Sequence, residues 1–205
     1  MPRILRLNMK EISTWPVEEI AGVLTRGGII AYPTETVYGL GVDALNKAAI
    51  RRLFRIKVRA SGKPISVLVK DMEMLGRVAA GVPAGAKSLM KKYWPGPVTI
   101  ILPASKKIPS GLIGQTGAIA VRISPHPFVS RLFEVFASPL TSTSANISGM
   151  SSLTEPEEIV RIFNDLVDLV IALPGFMEGR ESTLVDATGE RPRVVRKGAV
   201  DIGNM

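Results

Sequence analysis

Apolar runs of strand length alternate with stretches of helical periodicity along most of this chain, and that alternation restricts the fold more than any single motif. A proline in the first turn and the pair Gly27–Gly28 at the end frame an amphipathic helix over 16–26, and an apolar strand running to Tyr32 follows. Asn46 stands at the N-cap of a second helix, in which Ile50, Leu53 and Phe54 recur at helical spacing. Further strands are expected at 65–69, 97–103, 118–124, 138–146, 166–173, 182–188 and 191–196. Helices are expected at 83–94, at 128–136 and from Pro156, the last with Thr154 as cap and Glu157 three residues on, the pattern of a capping box. The whole predicts an α/β fold, with strands crowded near the C-terminus that favour some antiparallel pairs. No stretch reads as a linker or repeat, so a single domain over 1–205 is expected.

Composition removes several kinds of chemistry. There is no cysteine, hence no disulfide, thiolate nucleophile or zinc-thiolate site. The single histidine, His126, lies between two prolines and reads as structural. At 46% hydrophobic the chain can bury a core, yet no apolar run approaches the roughly 18 residues of a membrane span. The N-terminal stretch turns polar quickly, so a cytoplasmic location is expected, with no membrane partner. Lysine and arginine total 26 against 18 acids, a net charge of +8 that favours anionic partners. The densest basic stretch runs from Arg51 to Lys63, while acids gather between Glu155 and Asp168.

Three segments carry candidate chemistry. The strand ending at Tyr32 opens into YPTETVYGLGVDA, which brings two threonines, a glutamate and a tyrosine to the place where a sheet commonly opens into a binding crevice. Lys57 falls seven residues after Ile50, on the core side of its helix, where an ammonium must snorkel out or meet an anion. Arg59 and Lys63 follow within six residues, and three cations at a strand mouth suit a polyphosphate or a carboxylate as well as they suit a helix C-terminus. In TSTSAN, Thr141 and Thr143 face one side of a strand while Ser142 and Ser144 face the other. Hydroxyls on both faces mean an edge strand or a lined pocket. Gly62–Lys63 lacks the spacing of a phosphate-cradling loop, and Gly39–Leu40–Gly41 lacks the third glycine of a dinucleotide fingerprint.

Taken in order, YPTETVYGLGVDA, KVRASGKP, AVRIS, TSTSANISG, ESTLVD and VVRKG resemble the YrdC family of threonylcarbamoyl-adenylate synthases over nearly the whole chain. The resemblance implies a twisted, open, mixed β-sheet flanked by helices around a large concave basic cleft, in a short form without the extra C-terminal domain of longer relatives. It implies a nucleotidyltransferase that joins L-threonine, bicarbonate and ATP into threonylcarbamoyl-AMP and pyrophosphate. A downstream tRNA threonylcarbamoyltransferase complex then modifies the adenosine beside the anticodon. Carried over by position, it places Thr36, Arg122, Ser142 and Ser182 on the L-threonine side, with Thr34 and Tyr38 lining that pocket and Leu68 contributing backbone. To ATP it gives Lys57, Arg59, Lys63, Ser144, Asn146, Ser152 and Arg196, with a backbone contact near Ala118; Lys57 and Arg59 are the candidate catalytic groups. Magnesium is expected to arrive on the ATP phosphates and not in an all-protein cage. The chemistry envisaged is attack of the amine on bicarbonate, then of the carbamate oxygen on the α-phosphorus, which asks for positioning and charge neutralisation more than for a dedicated base. The rivals are a related enzyme adenylating another carbamoyl donor and an RNA-binding module, with weak RNA binding expected from the charge alone.

Overall fold

The computed structural model describes residues 2–58, 65–114, 116–175 and 179–203. These hold ten strands and six α-helices: β1 Arg3–Arg6, α1 Val17–Thr25, β2 Ile30–Tyr32, β3 Gly39–Gly41, α2 Lys47–Ile56, β4 Ser66–Leu68, α3 Met72–Val78, α4 Ala84–Tyr93, β5 Val98–Pro103, β6 Ala118–Arg122, α5 Pro127–Val135, β7 Leu140–Ser144, α6 Pro156–Phe163, β8 Leu169–Ala172, β9 Thr183–Asp186 and β10 Arg193–Arg196. All the strands join one open mixed sheet in the order β1-β8-β2-β3-β7-β4-β6-β5-β9-β10. Parallel pairs such as β2/β8 and β4/β6 alternate with antiparallel ones such as β3/β7 and β5/β6, and the expected antiparallel pair near the C-terminus is β9/β10.

The helices form for the reasons their sequences give. Asn46 accepts from the backbone of Ala48 and Ala49 at 3.0 and 3.1 Å and so satisfies the first turn of α2. α1 buries Val17, Ile20, Ala21 and Leu24, and α5 buries Phe128, Val129, Leu132 and Phe133. Phe128 meets Tyr32 at a ring separation of 5.9 Å and Trp15 at 6.4 Å, which ties α5 to β2 and to the segment before α1.

Three elements depart from the sequence reading. β1 and α3 were not expected, and β3 forms from Gly-Leu-Gly, a segment without a β-branched residue. Gly41 is sterically required, since a Cβ there would stand 2.7 Å from Cε1 of the buried Tyr32 and 3.0 Å from Leu140, while one on Gly39 would be tight against the same ring at 3.3 Å. The capping box at Thr154 is also absent. α6 begins one residue later, with Glu155 at the N-cap and no side-chain cap, and Glu157 reaches across to Arg6 at 2.8 Å. The basic and acidic stretches meet as well, since Arg52 pairs with Asp168 at 2.7 Å.

Candidate functional site

β7 decides where the site lies. It is paired on one side with β3 and on the other with β4, so its hydroxyls on both faces do not mark an edge strand. Ser142 and Ser144 instead line a cavity of about 360 Å³, a size within the range of small-molecule sites. The polypeptide leaving β2 supplies a second wall with Thr34, Thr36 and Tyr38. β6 brings Arg122, and the far wall holds Ser182 before β9 with Arg196 at the end of β10. Eight of the residues chosen from sequence thus converge on one space: Thr34, Thr36, Tyr38, Arg122, Ser142, Ser144, Ser182 and Arg196.

Arg122 is 4% exposed and pairs through Nη1 with Glu35, itself 7% exposed, whose other carboxylate oxygen accepts from Ser124. The same Nη1 lies 3.4 Å from the Thr36 hydroxyl. Thr34 Oγ1 donates to the carbonyl of Val37 at 2.7 Å and sits 2.9 Å from Thr36 Oγ1. Across the cavity, Ser182 Oγ and Thr99 Oγ1 are 2.7 Å apart, and Arg196 donates to the Ser182 carbonyl at 2.9 Å while pairing with Glu181. Gly198 allows this closure, because a Cβ there would fall 2.3 Å from the Glu181 carbonyl. Burial pushes the Tyr38 phenol up to about 12, so at neutral pH it is a hydrogen-bond donor and not a base. His126 lies outside this cavity's lining; its Nδ1 accepts from Phe128 N at 3.2 Å as the cap of α5, the structural part expected of it.

Lys57 has no exposed surface. The oxygens it meets belong to the protein: the Ser144 carbonyl at 2.5 Å, the Asn146 carbonyl at 2.8 Å and Asn146 Oδ1 at 2.9 Å. Ser144 Oγ donates to that same Oδ1 at 2.9 Å. Lys57, Ser144 and Asn146 therefore form one knot that fixes the end of β7, with Ser144 its member on the cavity. Leu68 is buried at the end of β4 in register with Arg122, and Ala118 is buried at the start of β6; neither is on the lining, nor is Ser152, in the segment leading to α6. Arg59 and Lys63 fall outside the described residues.

Sequence reasoning missed Glu35, Thr99 and Glu181. Glu35 lay inside the quoted motif, on the bend between β2 and β3 where no strand periodicity assigns a side chain to a face, so its pairing with Arg122 had no local signal. Thr99 was a lone polar residue in an apolar strand, and it is 2% exposed. Among the described residues no three acidic or histidine side chains gather as a metal site, and no helix is long and apolar enough to cross a membrane.

Fold and site together define an open mixed α/β sheet with a polar, arginine-anchored cavity beside its central antiparallel strand. The chain belongs to the Sua5/YciO/YrdC family, whose model, described as "Telomere recombination", matches residues 22–198. It is 39% identical over 168 residues to a threonylcarbamoyl-AMP synthase of Thiobacillus denitrificans, covering 82% of this chain and 89% of that one. It is 34% identical over 197 residues to a threonylcarbamoyl-AMP synthase of Pyrococcus abyssi, spanning 96% of this chain and 58% of that longer relative. Among solved structures, P. abyssi Sua5 complexed with L-threonine superposes with a TM-score of 0.89 at 34% identity, over 96% of this chain and 57% of that one. Escherichia coli YciO superposes with a TM-score of 0.88 at 29% identity, over 98% of both chains.

Proposed function

We propose that this chain is an L-threonylcarbamoyladenylate synthase of the cytoplasm. It forms threonylcarbamoyl-AMP and pyrophosphate from L-threonine, bicarbonate and ATP, and supplies a tRNA threonylcarbamoyltransferase complex. The observation that carries this reading is the cavity itself, where a buried arginine is ringed by the hydroxyls of Thr36, Ser142 and Ser182. A carboxylate suits Arg122, and a ligand hydroxyl suits the small polar side chains around it. The relatives named for this activity, one of them seen with L-threonine, support the choice of amino acid.

ATP is assigned to the end of the cavity bounded by Ser144 and Arg196, with Asn146, Ser152, Arg59, Lys63 and the backbone near Ala118 completing its site. Lys57 is assigned to the same nucleotide and, with Arg59, to catalysis, from a position where it also holds Ser144 and Asn146 in place. Magnesium bound to the phosphates supplies charge neutralisation. The acids lining or backing the cavity fit that arrangement, since Glu35 and Glu181 are each committed to an arginine. The chain's own task is to hold the amine against bicarbonate, from which a carbamate forms with loss of water, and then to hold the carbamate oxygen in line with the α-phosphorus and its departing pyrophosphate.

Incorporation of radiolabelled bicarbonate with ATP, with and without L-threonine, tests the proposal. Label should enter an adenylated product, with matching pyrophosphate release, only when threonine is present. Threonine-independent incorporation, or ATP turnover driven equally by other carbamoyl donors, overturns it.

A further inference from the structure

Arg122 reaches the cavity already paired, and this limits what the cavity can accept. We propose that Glu35 is a specificity-determining positioning residue: by cancelling the charge of Arg122 in the empty site, it makes the pocket select a zwitterionic α-amino acid over the same carboxylate without its amine. The inference rests on reading the cavity as an amino-acid site.

A guanidinium that is 4% exposed would be costly to keep without a counter-ion, and Glu35 is that counter-ion. The glutamate is gripped on both oxygens, by Arg122 on one and Ser124 on the other, so it stays in place when a ligand carboxylate arrives. Glu35, Arg122 and an incoming carboxylate then sum to one uncompensated negative charge in a buried place. The neighbouring imidazole does not supply the missing cation. Burial is the main cause that pushes His126 down to about 4, against the pull of Glu35, and leaves it neutral at pH 7. At the far wall Arg196 is occupied by Glu181. The ligand must bring its own positive charge.

The threonine hydroxyls supply a receptor for it. Thr34 gives its single proton to the Val37 carbonyl, and its oxygen accepts from the backbone N–H groups of Thr36 and Val37 at 3.2 and 3.3 Å, with the Thr36 hydroxyl 2.9 Å away. Thr36 Oγ1 presents oxygen lone pairs to the cavity, one within 3.4 Å of Arg122 and the other able to accept from an ammonium. Carboxylate on Arg122 and ammonium on Thr36 describe the two ends of an α-amino acid.

Calorimetric titration of the whole chain with L-threonine and with (R)-3-hydroxybutyrate, its analogue lacking the amine, tests this in the wild type and in Glu35→Gln. The wild type should prefer threonine by on the order of a hundredfold. Glu35→Gln keeps the side-chain shape but frees the charge of Arg122. Threonine should then bind more weakly and hydroxybutyrate equally or more tightly, compressing the preference about tenfold or more, with recovery in Glu35→Asp. If Glu35→Gln does not fold, Ser124→Ala, which loosens the carboxylate without removing it, should compress the preference by a smaller factor. Parallel weakening of both ligands would mean that Glu35 is merely structural and overturns the inference, as does a wild type that binds the two ligands alike. A wild type that binds neither ligand overturns the amino-acid reading and this inference with it.

Discussion

His126, the chain's single histidine, shows how a residue can be decisive without touching a ligand. It is 8% exposed at the start of α5, and its folded-state value of about 4 lies below the 6.5 of an unperturbed imidazole. Between these values the unfolded chain binds a proton that the folded chain does not, so stability rises with pH across that window and is lost as pH falls through it. The loss between pH 7 and pH 4.5 should be about 2 kcal/mol from this group. His126→Asn keeps a capping acceptor for Phe128 N and removes the titration. Guanidinium midpoints at the two pH values should therefore fall less in the variant, and an equal fall in both proteins would show that other groups carry the acid sensitivity. Lys57 teaches a related lesson. Helical spacing placed it on the core side, where it was expected to snorkel out or meet an anion; what spacing could not reveal was that it would meet carbonyls of the chain 87 and 89 residues away.

Among the elements, β7 and β3 were unequally visible in the sequence. β7 announced itself through alternation, and the ambiguity between an edge strand and a pocket lining was resolved by neighbours that lie far away in sequence, β3 and β4. β3 was hidden because its residues were chosen for what they lack. The Tyr32 ring, whose hydroxyl donates to the Thr141 carbonyl at 3.0 Å, lies where side chains on Gly39 and Gly41 would stand. β1 was missed for another reason, since its two ends are exposed arginines and its pairing to β8 supplies what local propensity does not. Gly41→Ala should cost about 1–3 kcal/mol, because neither the buried ring nor Leu140 can retreat freely. In a Tyr32→Leu background the same substitution should cost less, leaving the contacts with Leu140 and the Thr141 carbonyl. Urea midpoints of the four proteins in that cycle measure the coupling, and strictly additive losses would show that the ring is not what excludes a side chain at 41.

At the scale of the molecule, the site is assembled from distant parts of the chain: the exit from β2 into β3, the start of β4, the strands β5 and β6, β7, and the stretch from Glu181 into β9 together with the end of β10. Order and residue type were legible because each part carries its own short polar signature; the pairing of each cation with an acid was not, because Glu35 and Arg122 are 87 residues apart. That pairing also bears on the net charge of +8, which on its own suggests nucleic acid. Arg3, Arg6, Arg52, Arg131, Arg161 and Arg193 are each engaged by a carboxylate. Exposed lysines are spread over separate elements, with Lys47 on α2, Lys87, Lys91 and Lys92 on α4, and Lys106 and Lys107 after β5. Among the described residues, such a surface offers an RNA few phosphate contacts in one place and no row of aromatic rings on which to stack bases. With about three contacts, affinity for a tRNA-sized RNA should fall roughly fortyfold between about 50 and 200 mM salt, leaving little binding at the upper value. Filter-binding titrations at those two concentrations, run beside threonine-dependent pyrophosphate release, separate the two activities. Tight RNA binding that survives the higher salt in a protein that releases no pyrophosphate would reverse the assignment, because the excess charge would then be the working surface and the arginine-anchored cavity incidental.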